Sequence, residues 1–232
     1  MFVSHWMTRK VFTVSPEESV TGAVSLMKEK GIKHIPVLRD EKLIGIISDR
    51  DINEFTPSKA TTLDIFELHY LLAKTKVKEI MKSNVTTTTP STPVEEAAMV
   101  MHDQNVGCLP VLENGRLVGI ISDRDIYRVL VDITGVRHAG HRIYLTIEDR
   151  PGSVKEVADI IRKHGFHLQS VLTSYEGVKQ GYRDVVIRTK GKGDFNDLAL
   201  ELERVYKAVK INSRNIIGDI SSILKAKNRG GK

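Results

Sequence analysis

One octapeptide, Gly-Ile-Ile-Ser-Asp-Arg-Asp-Ile, occurs at 45–52 and again at 119–126, and each copy sets a hydroxyl, a guanidinium and carboxylates within four residues. The apolar Gly-Ile-Ile reads as the end of a strand, and the charged residues after it as the start of a helix. The first amides of a helix lack intrahelical acceptors and carry partial positive charge, so a phosphate is a suitable occupant. Ser48 and Ser122 would add a hydroxyl, and Arg50 and Arg124 a forked cation suited to phosphate oxygens. Asp51 and Asp125 would accept from paired ribose hydroxyls, and Gly45 and Gly119 leave space beside the strand. Ser-x-x-Asp is equally the spacing of a helix capping box, in which the acid serves only its own backbone. Spacing alone leaves both readings open.

The elements that must position these groups form a tandem repeat. Residues 3–52 align without a gap on 77–126 at an offset of 74, with twenty of the fifty positions identical. Each copy predicts a helix with apolar residues three and four apart: Val20, Ala23, Val24 and Met27, then Val94, Ala97, Ala98 and Met101. Pro16-Glu17-Glu18 and Pro93-Val94-Glu95-Glu96 put proline and acids at the helix starts. Strands follow at 34–38 and 43–47, and at 108–112 and 117–121, with short helices from Asp49 and Asp123. A unit of some fifty residues in αββα order buries little surface alone, so two copies packed through their strands are the stable object. Between them, Pro57-Ser58 reads as a break, and Leu63, Phe66, Tyr70 and Ala73 as one face of a linker helix. From His141 the pattern changes to βαββαβ, the ferredoxin-like order: strands at 141–149, 166–176, 182–190 and 209–217, and helices at 153–164 and 194–206. Arg150-Pro151-Gly152 turns the chain between the first strand and helix.

The helix, the h-P-V-h strand, the h-x-G-I-I-S strand end and the following S-x-x-D resemble CBS domains, and the two copies resemble the paired Bateman module. The Asp149-Arg150-Pro151-Gly152 turn, in that order of elements, resembles an ACT domain. The segment 60–81 resembles the linker of acetoin-utilisation type CBS–ACT proteins. The implied fold is mixed α/β: repeat one at 1–58, a linker helix at 59–76, repeat two at 77–134, a connector at 135–141, an ACT domain at 142–220 and a basic tail at 221–232. The resemblance implies an adenine nucleotide (AMP, ADP or ATP) as regulatory ligand rather than catalytic cofactor. Its contacts would be Thr13, Val14, His34, Ile35, Ser48, Arg50 and Asp51 in copy one, and Thr87, Thr88, Cys108, Leu109, Ser122, Arg124 and Asp125 in copy two. Lys33-His34 stands where copy two has Gly107-Cys108, so the first pocket is expected to prefer the more anionic ligand. At the ACT turn, Asp149, Gly152, Ser153 and Val154 would receive an amino-acid carboxylate, commonly between two associated copies. The alternative there is that Pro-Gly only turns the chain. The implied protein is a cytoplasmic, homodimeric sensor acting on a partner protein.

The rest of the sequence narrows this reading. Of its 232 residues, 41% are hydrophobic and 28% charged, near the globular average. No apolar run approaches the length of a membrane span, and the N-terminus has no signal-type apolar region. The one cysteine excludes an internal disulfide and a cysteine-based metal cluster. Four cations of the net charge of +6 sit in the last twelve residues, which disfavours nucleic acid as the main partner while leaving a tail-bound nucleic-acid regulator as an alternative. The histidine pairs 138/141 and 164/167 have no further ligands beside them for metal. No Walker loop or nucleophile elbow appears. Hydrolysis of a bound nucleotide is the remaining enzymatic alternative.

Overall fold

Each repeat folds as its periodicities predict, but its N-terminal segment packs on the other repeat. The computed structural model describes residues 1–60, 70, 72–206 and 209–212. It divides into two compact units, Met1–Tyr127 and Arg128–Lys232. Most of the expected linker helix, the end of the last strand and the basic tail lie outside the described residues.

In the first unit, repeat one comprises α1 (Val3–Trp6), α2 (Val20–Lys30), β1 (His34–Arg39), β2 (Lys42–Ser48) and α3 (Asp49–Ala60). Repeat two comprises α4 (Val77–Ile80), α5 (Val94–Asp103), β3 (Cys108–Glu113), β4 (Arg116–Ser122) and α6 (Asp123–Ile133), whose last turns enter the second unit. Each pair of strands is an antiparallel hairpin with a register shift at the same place, after Val37 and after Val111. The helices bury their predicted stripes, Val20, Ala23 and Met27, and Val94, Ala97 and Met101.

Two expectations about helix ends are corrected. Ser19, not the Pro16–Glu18 stretch, caps α2 by accepting from the Gly22 amide. Glu17 lies upstream and binds Lys76, at the end of the linker, and Lys78 of repeat two, which hold its carboxyl down at about 2. The break expected at Pro57-Ser58 is absent, since α3 runs through both residues to Ala60. The missing proline amide removes one bond of a helix whose other residues remain compatible with it.

The exchange of N-terminal segments is visible in both cores. Val3 and Met7 belong to the cluster of Ala97, Met101, Leu109, Val111 and Ile121 in repeat two. Val77 belongs to the cluster of Val20, Ile35, Val37 and Ile47 in repeat one. Thr8 exchanges backbone hydrogen bonds with Ile120, and Lys82 with Ile46, at 2.9–3.0 Å. This close approach explains the glycines of the octapeptide. A Cβ on Gly45 would lie 2.5 Å from Met81 Sδ and 3.1 Å from the Lys82 carbonyl, and one on Gly119 would meet Met7 Sδ and the Thr8 carbonyl at 2.5 and 3.2 Å. The space beside the strand is filled by the other repeat.

The second unit runs β5 (His141–Glu148), α7 (Ser153–Lys163), β6 (Phe166–Ser174), β7 (Tyr182–Gly191), α8 (Phe195–Val205) and β8 (Val209–Asn212). Its sheet has the order β6-β7-β5-β8, with β5 antiparallel to both neighbours. Ile143, Leu145, Ile147, Val185 and Ile187 face Val157, Ile161, Leu198 and Leu202 of the two helices in one core. Both helices are therefore on one face, and the alternate residues Arg142, Tyr144 and Thr146 lie on the other.

Candidate functional site

Both Asp51 and Asp125 fold back onto their own strand ends. The Asp51 carboxylate accepts from the Ser48 amide at 2.9 Å and from the Ser48 hydroxyl, while the Asp51 amide donates to that hydroxyl at 3.2 Å. Asp125 accepts from the amide and hydroxyl of Ser122 at 2.9 and 2.8 Å. The amides of Asp49 and Asp123 donate to the carbonyls of Lys33 and Gly107, each at 3.0 Å. These bonds close the N-termini of α3 and α6, so the capping role of the motif is present in both copies.

A cleft nevertheless opens beside Asp51. It encloses about 590 Å³. Ser48, Asp49, Arg50 and Asp51 of repeat one line it together with Lys82, Asn84, Val85 and Thr86 of repeat two. The exchanged segment supplies that second wall, so the Asp51 corner faces the lead-in of the other copy rather than Thr13 and Val14 of its own. Ala98, Met101, Val106 and Ile126 provide an apolar surface, and Lys33, His34, Gly107, Cys108 and Asp123 complete the cleft. Lys33-His34 and Gly107-Cys108 therefore both line this one cleft. A Cβ on Gly107 would lie 2.9 Å from the His34 ring, so the imidazole occupies the space that glycine leaves.

The cleft has a cationic side and compensated acids. Lys82 Nζ lies 3.0 Å from Asp51 Oδ1, and Lys33 Nζ 3.9 Å from Asp49. The Asp51 side chain is buried while that of Lys82 is exposed, which leaves the lysine free to change partner. Among the described residues the exposed Arg50 side chain makes no hydrogen bond or ion pair, whereas its counterpart Arg124 donates to the Gly31 carbonyl at 3.4 Å. Burial lowers the pKa of His34, against the pull of Asp49, Asp123 and Asp51. Burial pushes the Cys108 thiol up to about 12, so it is held as the thiol.

Other residues from the sequence lie elsewhere. Val14 and Thr88 are buried and pair in parallel with Val37 and Val111, and Thr13 and Thr87 adjoin them outside the cleft. Ile35 and Leu109 are fully buried core residues. Ser122, Arg124 and Asp125 do not line this cleft. The sequence reading missed Lys82, Asn84 and Thr86. The gapless alignment equates them with Thr8, Lys10 and Phe12 of the first lead-in but does not say which repeat they face.

At the C-terminal turn, Gly152 takes φ +86° and Ser153 is buried. Arg183 lies at the helix start, donating to the Ser153 hydroxyl at 3.0 Å, with its Nε 3.5 Å from Asp149. Val154 packs against the core. His141 stacks on Phe195 and His164 pairs with Glu201. Among the described residues no three His, Cys, Asp or Glu side chains converge as a metal site, and no helix is long and apolar enough to cross a membrane.

Comparison with known proteins agrees with this geometry. The CBS domain model matches residues 3–57 and 77–132. A CBS domain-containing protein of Dictyostelium discoideum is 33% identical over 141 residues, 57% of this chain and 93% of its own length. An uncharacterized protein of Methanocaldococcus jannaschii is 28% identical over 219 residues, covering 90% of this chain and 77% of that protein. The crystal structure of a Vibrio cholerae protein assigned to acetoin utilization (AcuB) superposes with a TM-score of 0.50 at 29% identity, over 59% of this chain and 95% of that one. The chain belongs to the CBS domain family.

Proposed function

We propose that the Asp51 cleft binds an adenine nucleotide and that this chain is a ligand-responsive regulatory protein. The observation that carries the reading is the make-up of the cleft: the exposed cations Arg50, Lys33 and Lys82 beside an apolar surface from Ala98, Met101 and Val106. Such a site matches a ligand with an anionic end and a flat apolar end. The cations serve the phosphate, and Asp51, released by Lys82, serves the ribose hydroxyls without giving up its cap on Ser48. In this reading the two repeats form one Bateman module. Cross-copy packing lets occupancy bias the arrangement of both repeats. Titration calorimetry of the full chain with AMP, ADP and ATP tests it. The expected result is saturable binding that Arg50→Ala weakens about tenfold, about 1.4 kcal/mol; absence of binding by all three overturns the reading.

The second unit supports an ACT-type reading through its βαββαβ order and the Gly152 turn. There Arg183, set between Asp149 and Ser153, would receive an amino-acid carboxylate beside the α7 amides. Coupling of the two ligands would be reciprocal, each changing the affinity of the other by the same factor. Association as a homodimer and action on a partner protein belong to the same proposal. A screen of the twenty amino acids against the melting temperature tests the second ligand, and no shift with any of them removes it.

A further inference from the structure

On the sheet face away from the helices, two guanidinium groups oppose each other. Arg142 of β5 and Arg188 of β7 are direct partners in the antiparallel register. Opposed side chains in a ladder stand within about 5.5 Å at Cβ, and like charges so placed repel. Arg188 is only 6% exposed. Among the described residues its five N–H donors meet one acceptor, the His138 carbonyl at 3.5 Å, and the Arg142 guanidinium meets none. Glu148 at the end of this face is paired with Arg150, and Asp184 is occupied by the hydroxyls of Tyr144 and Thr146. It lies four residues along β7, out of step with the arginine row. Burial and Arg142 together weaken the hold of Arg188 on its proton. None of the unbonded nitrogens of the two guanidiniums is sealed from solvent, so a dissolved anion can reach them and offset their repulsion.

The segment entering β5 closes over this row. Ser170, the partner of Arg188 on its other side, donates to the Thr134 carbonyl at 3.0 Å. Gly135 takes φ +62°, and a Cβ there would meet the Gln169 amide at 3.2 Å and Arg188 Cδ at 3.3 Å. The Gln169 amide oxygen is buried without a partner.

We infer that Arg142 and Arg188 form a binding site for a small multivalent oxyanion, a phosphate or a carboxylate-bearing metabolite, separate from the nucleotide cleft. Two guanidiniums offer forked donors to such an anion, and its charge removes their repulsion. Residues 134–140 pack on the same row, so occupancy would also hold the connector against the sheet.

Hydrogen exchange of the full chain, in inorganic phosphate and in chloride at equal ionic strength, tests this. Phosphate at about four times its dissociation constant slows exchange of 134–140 and 183–189 about fivefold, by mass action on the closed state. Arg142→Gln abolishes the slowing, and Arg142→Lys keeps part of it. Arg50→Ala keeps all of it, which separates this site from phosphate bound in the nucleotide cleft. In chloride, Arg142→Gln exchanges more slowly than the parent because the repulsion is gone. Equal phosphate effects in the parent and Arg142→Gln, or none in either, overturn the inference. Protection in chloride that rises with protein concentration also overturns it, by assigning the counter-ion to a carboxylate of a second copy.

Discussion

Replacing Asp51 with alanine separates the two roles of the repeated motif. In the structure its carboxylate is the acceptor for the buried Ser48 amide and hydroxyl and a contact of Lys82. Loss of a capping side chain costs about 0.5–2 kcal/mol, and an amide left buried without an acceptor costs about 1–3 kcal/mol. These describe largely the same bond. The contact with the exposed Lys82 adds about 0–1 kcal/mol. The expected loss is therefore about 2 kcal/mol, roughly 6–10 °C for a unit of this size. Saturating AMP, at about one hundred times its dissociation constant, would stabilise the parent by about 2.7 kcal/mol and the variant by much less. Asp125→Ala is the internal control. It removes the same cap from Ser122, so it loses comparable stability, but it leaves the cleft wall intact and keeps the AMP-induced shift. Calorimetric melting with and without AMP measures both quantities. Asp51→Ala melting like the parent would refute the capping argument. Loss of the AMP shift in both variants, or in neither, would refute the assignment of the ligand to the Asp51 side.

Two further expectations concern buried titratable groups. His141 stacks on Phe195, its Nδ1 is buried without a partner, and burial lowers its pKa. Its contribution to stability is therefore present above the unfolded value near 6.5 and is lost as pH falls through the lower folded value. The second unit should weaken as pH falls below about 6.5 on this account, and His141→Phe should flatten that slope in urea titrations; an unchanged slope would assign it to another group. Cys108, buried and with its thiol held up at about 12, should resist alkylation at pH 8 until the first unit unfolds. Rapid labelling of the native chain would mean that the strand opens locally.

The repeats were legible because their physics is local. A period of three and four marks a helix face, two apolar runs around a turn mark a hairpin, and an identical octapeptide marks an identical corner. The cap geometry of Ser48 and Asp51 was legible for the same reason, being decided within four residues. The wall opposite was not. The alignment that revealed the duplication maps residues 8–14 onto 82–88 and is indifferent to which copy each segment packs against. Exchange and non-exchange give the same apolar pattern, since Met7 and Met81 are interchangeable in it. Only the glycines carried a trace of the answer: Gly45 and Gly119 must accept a foreign backbone within about 3 Å of where a Cβ would stand. The Arg142–Arg188 pair was hidden differently, by register. Forty-six residues separate the two arginines, and a slip of one position would send Arg188 to the helix face. Local chemistry can thus be read from a motif, whereas the partner that completes a site is fixed by pairing between segments distant in sequence. That is why the nucleotide reading rests on Arg50 and Lys82 together, residues from different repeats, and why substituting either one alone should weaken the same ligand.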